Sequence, residues 1–405
     1  MENARYHEDL FGILIAVVVL IVYGSLYPWA FEARHLPASP LYILLHSWDA
    51  NLLDRRLLFD AAVNIAIYIP LGMSAYLALQ RFKSRALETL APVALGALLS
   101  ATMEMAQLFT PSRHCSAVDL IANTLGSASG VLVGFAFTRI ADVPATGLRF
   151  RSRDRSAVAL LFCWVSSLLF PMFPVLYQSV WRAKLSAFIH APLISPIPIL
   201  LSAAEWFAVG RLLVAAGARK PFRWLVVVLL LAPAQFAIVN HSPMPADFAG
   251  GAFGALLFYF FGRGPSADRL AGAALLLALT LRGLAPFHFE GPAQAFLWIP
   301  FGGLLTAEWQ SAIPILAGKL FQYGACIWLL RRAGLGIARA TVIVTVVLAG
   351  IEALQTRIPG HVAEINDPLL AVLLCLGLRV LYAHREAVTN AENVNQPTRP
   401  LLRPQ

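Results

Sequence analysis

Glu104 and Gln107 stand three residues apart near the end of one apolar run, and Asp119 and Asn123 stand four apart at the start of the next. Both spacings place their pair on one helix face. Arg113 lies in the short segment between the runs, and upstream "NIAIYIPLG" sets Asn64 and Tyr68 on a helix reaching the same side. A tight helical hairpin would gather these groups near a membrane boundary. Such a cavity could hold a phosphate or carboxylate on Arg113, with Glu104 as acid, base or cation ligand. No nucleophile motif, His/Cys metal spacing or phosphate loop accompanies the set, so the reaction class stays open. No metal or cofactor is expected. The plainer alternative is structural. Glu104 would pair with Arg113, Asn64 and Asn123 would join helices, and Asp119 would sit at a helix N-terminus, where carboxylates are favoured.

The pattern recurs. Gln107 and Asp119, Gln235 and Asp247, and Gln355 and Asp367 are each twelve positions apart, and the residue six after each Gln is Arg113, His241 or His361. Glu104 is matched by Glu352 but by Ala232 in the middle copy, and Asn123 is replaced by Gly251 and Ala371. "SPIPILLSAAEWFAVG" (195–210) and "SAIPILAGKLFQYGAC" (311–326) are a second parallel. Recurrence at a fixed spacing implies three diverged four-helix repeats: units at 1–150, 151–265 and 266–386, followed by a polar, Pro-containing cytoplasmic tail, 387–405, expected to be disordered. Only the first copy keeps the whole polar set. In the other two, a plain helix cap is the favoured role for Asp247 and Asp367.

The elements that must position these residues are apolar. The chain of 405 residues is 59% hydrophobic and 13% charged, with a mean hydropathy of +0.69. A soluble domain carries roughly 25% charged residues. Many apolar runs are about as long as a bilayer crossing requires, ~20 residues. The fold class expected is all-α: a polytopic transmembrane helix bundle of about 12 spans, near 10–31, 58–80, 89–109, 118–138, 156–176, 195–216, 223–240, 247–262, 269–286, 311–330, 339–356 and 368–384. Residues 294–310, broken by Pro300, Gly302 and Gly303, are expected to form a half-helix or re-entrant piece, with 180–194 as a shorter counterpart.

The net charge of +9 does not point to nucleic acid. Its Lys and Arg cluster in alternate short loops such as "RFKSR", "LRFRSRDR" and "GARKPFR". That is the positive-inside pattern, and it puts both termini in the cytoplasm. The run from Leu10 is too long for a signal-peptide core and reads as an uncleaved first helix. The four cysteines form no CxxC pair and support neither a metal site nor a disulfide framework.

Asn64, Tyr68, Pro70, Leu71 and Gly72, then Glu104 and Gln107, then Arg113, Asp119, Asn123 and Gly126 together resemble the VanZ-like family, a four-helix bacterial membrane module named for a teicoplanin-resistance protein. The resemblance covers about 55–138 well and 294–380 partially, through Pro300, Gly302, Glu352, Gln355 and Asp367. It implies a bacterial cytoplasmic (inner) membrane protein with a cell-envelope role, a link to glycopeptide or lipoglycopeptide sensitivity, and a link to exopolysaccharide production. Where the third copy departs, with His361 for Arg113 and Ala371 for Asn123, a second working site is in question. Two functions follow from the polar set. One is non-enzymatic binding of a membrane lipid or lipid-linked cell-wall or polysaccharide precursor. The other is a transporter or flippase for a lipid-linked or anionic substrate. Parallel repeats are neutral between them. An enzyme acting on lipid headgroups is a third possibility, and the balance leans against it.

Overall fold

The computed structural model describes the chain except for residues 1, 49–54, 112, 143–153, 171–173, 193–194, 240, 290–291, 304–308 and 395–405. Among the described residues the regular elements are helical, and extended backbone pairs only in two isolated bridges, Pro174 with Ile238 and Leu297 with Glu364. The chain divides into two compact units, Met1–Arg149 and Phe150–Gln405.

The first unit contains α1 (Glu2–Leu26), α2 (Pro40–His46), α3 (Arg55–Leu79), α4 (Arg85–Gln107) and α5 (Ala117–Asp142). Starts are set by local chemistry: the hydroxyls of Ser39 and Ser84 accept the amides of Tyr42 and Leu87 at α2 and α4. The close approach of α5 to α3 depends on two glycines. A Cβ on Gly126 would stand 2.4 Å from the Ile65 carbonyl oxygen, and one on Gly130 would stand 2.2 Å from that of Ile69. Any side chain there would force the helices apart.

The second unit contains α6 (Arg155–Leu169), α7 (Gln178–His190), α8 (Pro196–Ala215), α9 (Pro221–Leu231), α10 (Pro245–Phe261), α11 (Ala267–Leu284), α12 (Trp309–Arg332), α13 (Ile337–Gln355) and α14 (Asn366–Val394). Its core is aromatic, with Trp164 packed edge-on to Trp206 at 5.3 Å and Phe258, Phe321 and Trp328 buried nearby. Here α10 meets α8 as α5 meets α3. A Cβ on Gly254 would lie 2.3 Å from the Ala203 carbonyl oxygen and 2.8 Å from Trp206 Cβ; for Gly126 the Tyr68 Cβ distance is 2.9 Å.

Each of the twelve expected spans carries a helix. Among the described residues seven helices, α1, α3, α4, α5, α8, α12 and α13, are long and apolar enough to cross a membrane. Three others, α6, α9 with the 3-10 turn that follows it, and α10, are apolar but shorter. Leu98, Leu132, Phe162, Leu230 and Phe260 point outward and exposed, a surface that suits hydrocarbon rather than water.

Two expectations are corrected. Residues 294–310 do not begin as a half-helix: the Leu297 amide donates to Ala363 O at 2.9 Å, and Leu297 O accepts from Ile365 at 3.1 Å. Pro300 closes this stretch and disfavours helix before it, and the amides of Gln294 and Leu297 pair with Thr356 O and Ala363 O of a neighbouring loop instead. Residues 304–308 lie outside the description. In the counterpart at 180–194, residues 180–190 are helical, within α7. The tail from 387 is also not structureless from its start, because α14 continues to Val394. Ala and Glu favour extension of an existing helix, which costs far less than starting one. Residues 395–405 lie outside the described residues.

Candidate functional site

In the first unit the expected residues come together at the α4–α5 hairpin, mostly bonded to backbone. Glu104, 3% exposed, accepts the Ser116 amide on Oε2 at 2.9 Å. Gln107 Nε2 donates to Ser25 O at 2.9 Å. Arg113 donates from Nε to Tyr27 O at 3.1 Å and from Nη2 to Gly24 O at 3.4 Å. Asn123 Nδ2 donates to Ser100 Oγ at 2.9 Å, deep between α4 and α5. Tyr68 is buried on α3, with Asn64 one turn before it. Asp119 lies in the first turn of α5, its amide on Ser116 Oγ. Arg113 and Asp119 are near enough to Glu104 to act on it through space. Among the described residues, though, Arg113 forms no ion pair. The pairing of Arg113 with a carboxylate is replaced by a clamp on the end of α1. The cause is that helix-terminal carbonyls lack intrahelical partners and attract a cation.

The second unit repeats these bonds. Glu352 Oε2 accepts the Glu364 amide at 2.8 Å, and Gln355 Nε2 donates to Gly283 O at 2.9 Å. His361 Nε2 bonds Ala285 O at 2.7 Å, and His241 Nε2 bonds Phe170 O at 2.7 Å. A carbonyl only accepts, so each Nε2 carries its proton. The acceptors Tyr27, Phe170 and Ala285 each precede a proline. After that proline, Trp29 and Phe287 both take left-handed backbone, φ 68° and 65°. Their amides donate to Leu26 O and Leu284 O, each at 2.8 Å.

The second unit holds two cavities. A cavity of about 600 Å³ opens on His241, Glu352, Gln355, His361 and Asp367, and another of about 390 Å³ opens on Gln235 and Asp247. Ligand sites typically measure ~300–1,000 Å³. Every repeat equivalent expected to be polar thus lines one of two cavities. Asp247 caps α10, its Oδ2 accepting the Met244 amide at 2.8 Å. Asp367 is not a plain cap. Its Oδ1 takes Lys319 Nζ at 2.5 Å and its Oδ2 takes the Tyr323 hydroxyl at 2.5 Å, across from α14 to α12. Glu205 accepts from Gln322 Nε2 at 2.5 Å, and Arg282 lines both cavities. Arg282, Lys319, Tyr323, Gln322 and Glu205 are not part of the polar set that the spacing singles out. The signal that finds Arg282, Lys319 and Glu205 is charge within apolar runs, which is costly and marks functional positions by default. Among the described residues no cluster of His, Cys, Asp and Glu has the makings of a metal site.

Residues 10–138 match the family model described as VanZ/LLP1. This stretch is a VanZ-like domain. It holds α1 through most of α5, with the Glu104, Gln107 and Arg113 bonds inside it. With its apolar helices, the chain reads as a membrane protein that carries this VanZ-like stretch. No curated protein and no solved structure matches it.

Proposed function

We propose that this VanZ-like protein binds the polar headgroup of a membrane amphiphile, a lipid or a lipid-linked glycan precursor, in the larger cavity of its second unit. The observation that carries the proposal is that cavity, about 600 Å³, with ionisable walls inside an otherwise apolar bundle. Three diverged four-helix copies, 1–150, 151–265 and 266–386, underlie it. In support, the Glu-to-amide, Gln-to-carbonyl and Arg/His-to-carbonyl bonds recur at the same spacing. The two cavities open beside the hairpins of the later copies. Handling of an envelope lipid would account for a cell-envelope role, including glycopeptide sensitivity or exopolysaccharide production. Photo-crosslinking from a lipid headgroup to the cavity wall tests the binding. The second reading, a flippase or transporter, draws on Lys319, a charge on the cavity wall within a span.

The location proposed is the bacterial inner membrane with both termini cytoplasmic, which puts the 108–116 loop outside. Cys115 reports on this loop. Burial pushes its thiol above the ordinary value, so labelling should be slow near neutrality and faster at higher pH. In a chain lacking Cys163, Cys326 and Cys375, an impermeant maleimide should label Cys115 in intact spheroplasts. Labelling only after permeabilisation would invert the orientation.

A further inference from the structure

Arg282 is placed differently from the other charges of the second unit. It stands near the end of α11, on the wall common to the two cavities. The acids around it are already engaged. Asp367 holds Lys319 and Tyr323, and Glu352 holds the Glu364 amide. Glu364 accepts Asn366 Nδ2 at 2.6 Å, Glu205 accepts Gln322, and Asp247 caps its own helix. The two histidines of the larger cavity spend Nε2 on carbonyls. Lys319 is held by Asp367. Among the described residues the Arg282 side chain has no hydrogen bond and no ion pair, although it is near enough to act electrostatically on both Glu205 and Tyr323.

A guanidinium carries five donors in a planar fork that matches a phosphate with two parallel bonds. On the wall shared by the two cavities, it is the natural seat for an anion. Carboxylates outnumber cations on the wall of the larger cavity: Glu352, Glu364 and Asp367 face Arg282 and Lys319. That surplus disfavours a doubly charged phosphate monoester and leaves room for a singly charged phosphodiester. Resting on the amphiphile-binding function above, we infer that Arg282 binds the phosphodiester of a membrane lipid headgroup, seated in the larger cavity with Lys319 held opposite by Asp367. The plain alternative is that Arg282 reaches past the cavity to the aqueous boundary.

The test uses the full chain in nanodiscs containing equal amounts of phosphatidylethanolamine and an uncharged glycosyl diacylglycerol. Lipids retained after stepwise detergent washing are counted by native mass spectrometry. The wild-type protein should retain the phosphodiester lipid about tenfold better, the ratio expected for one charge-assisted paired bond. Arg282→Gln should bring the two lipids close to parity. Arg282→Lys should fall between, because an ammonium keeps the charge but not the fork. Arg219→Gln, on a loop away from both cavities, should behave as wild type. Size-exclusion profiles show whether each variant is folded, and the lysine variant keeps the comparison open should the glutamine variant fail. An unchanged preference in folded Arg282→Gln would overturn the inference while leaving lipid binding intact. Displacement of the lipid by millimolar inorganic phosphate would overturn the lipid assignment in favour of the free anion. Retention of neither lipid by the wild-type protein would overturn lipid binding itself.

Discussion

Asp268→Ala should be the most destabilising single polar substitution in the second unit, costing roughly 3–5 kcal/mol, as for removal of one partner from a buried ion pair. Asp268 lies in the first turn of α11 and takes two guanidiniums: Arg211 Nε of α8 on Oδ1 at 2.7 Å and Arg332 Nε of α12 on Oδ2 at 3.0 Å. Arg211 also donates to the Gly262 carbonyl. The Arg211 and Asp268 side chains are only 10% and 12% exposed, so solvent cannot replace the lost carboxylate. Alanine would leave Arg211 as an uncompensated charge between helices. Asp268→Asn keeps one acceptor oxygen and should fall between wild type and alanine. Fluorescence-detected size-exclusion thermostability in detergent measures both. A melting point for Asp268→Ala within error of wild type would mean the triad contributes nothing.

The second large effect is expected at the paired hairpin carboxylates. Glu104 and Glu352 each accept the amide twelve residues ahead, at 2.9 and 2.8 Å, and each is at most 4% exposed. Removing the acceptor strands an amide near the membrane boundary. Glu104→Ala and Glu352→Ala should each cost about 1.5–3 kcal/mol, the range for hydrogen bonds to charged groups. Gln keeps an oxygen at the same place, so Glu104→Gln and Glu352→Gln should cost well under half as much. Hydrogen exchange gives a local readout. The Ser116 and Glu364 amides should be protected in the wild type and in the Gln variants, and should exchange fast in the Ala variants. Protection that survives Glu104→Ala would show that something else holds the loop.

These residues also show what the sequence could convey. The six-residue step from each Gln to Arg113, His241 or His361 is visible in one dimension, and each of the three side chains bonds a carbonyl that precedes a proline. Their partners are not visible. Arg113 looks like an anion site because its acceptors, Gly24 and Tyr27, lie more than eighty positions away in sequence and are backbone carbonyls without a side-chain signature. Gly126 and Gly130 are four apart, a spacing that allows close helix approach, but the partner helix, α3, is seen only in the fold. The fate of Arg211 was not legible, since a charge inside an apolar run reads the same whether it lines a path or meets Asp268 on another helix. Arg282 and Lys319 were missed as site residues for a related reason: a cavity is a property of several helices, and neither residue belongs to the repeating motif. The start of the half-helix or re-entrant piece expected at 294–310 is extended because its amides pair with a loop about seventy positions on, a long-range pairing that local hydropathy does not encode.

The most direct test of amphiphile binding in the second unit is photo-crosslinking with a phospholipid that carries a diazirine on its headgroup. The lipid is incorporated with the full chain in nanodiscs, and the modified peptides are mapped by mass spectrometry. The expected result is modification of cavity-wall positions, Gly283 on α11, Gly318 on α12 and Gln355 on α13, that is competed by unlabelled lipid. Label confined to outward-facing side chains such as Leu98, Leu132 and Phe260, with none on those walls, would contradict it.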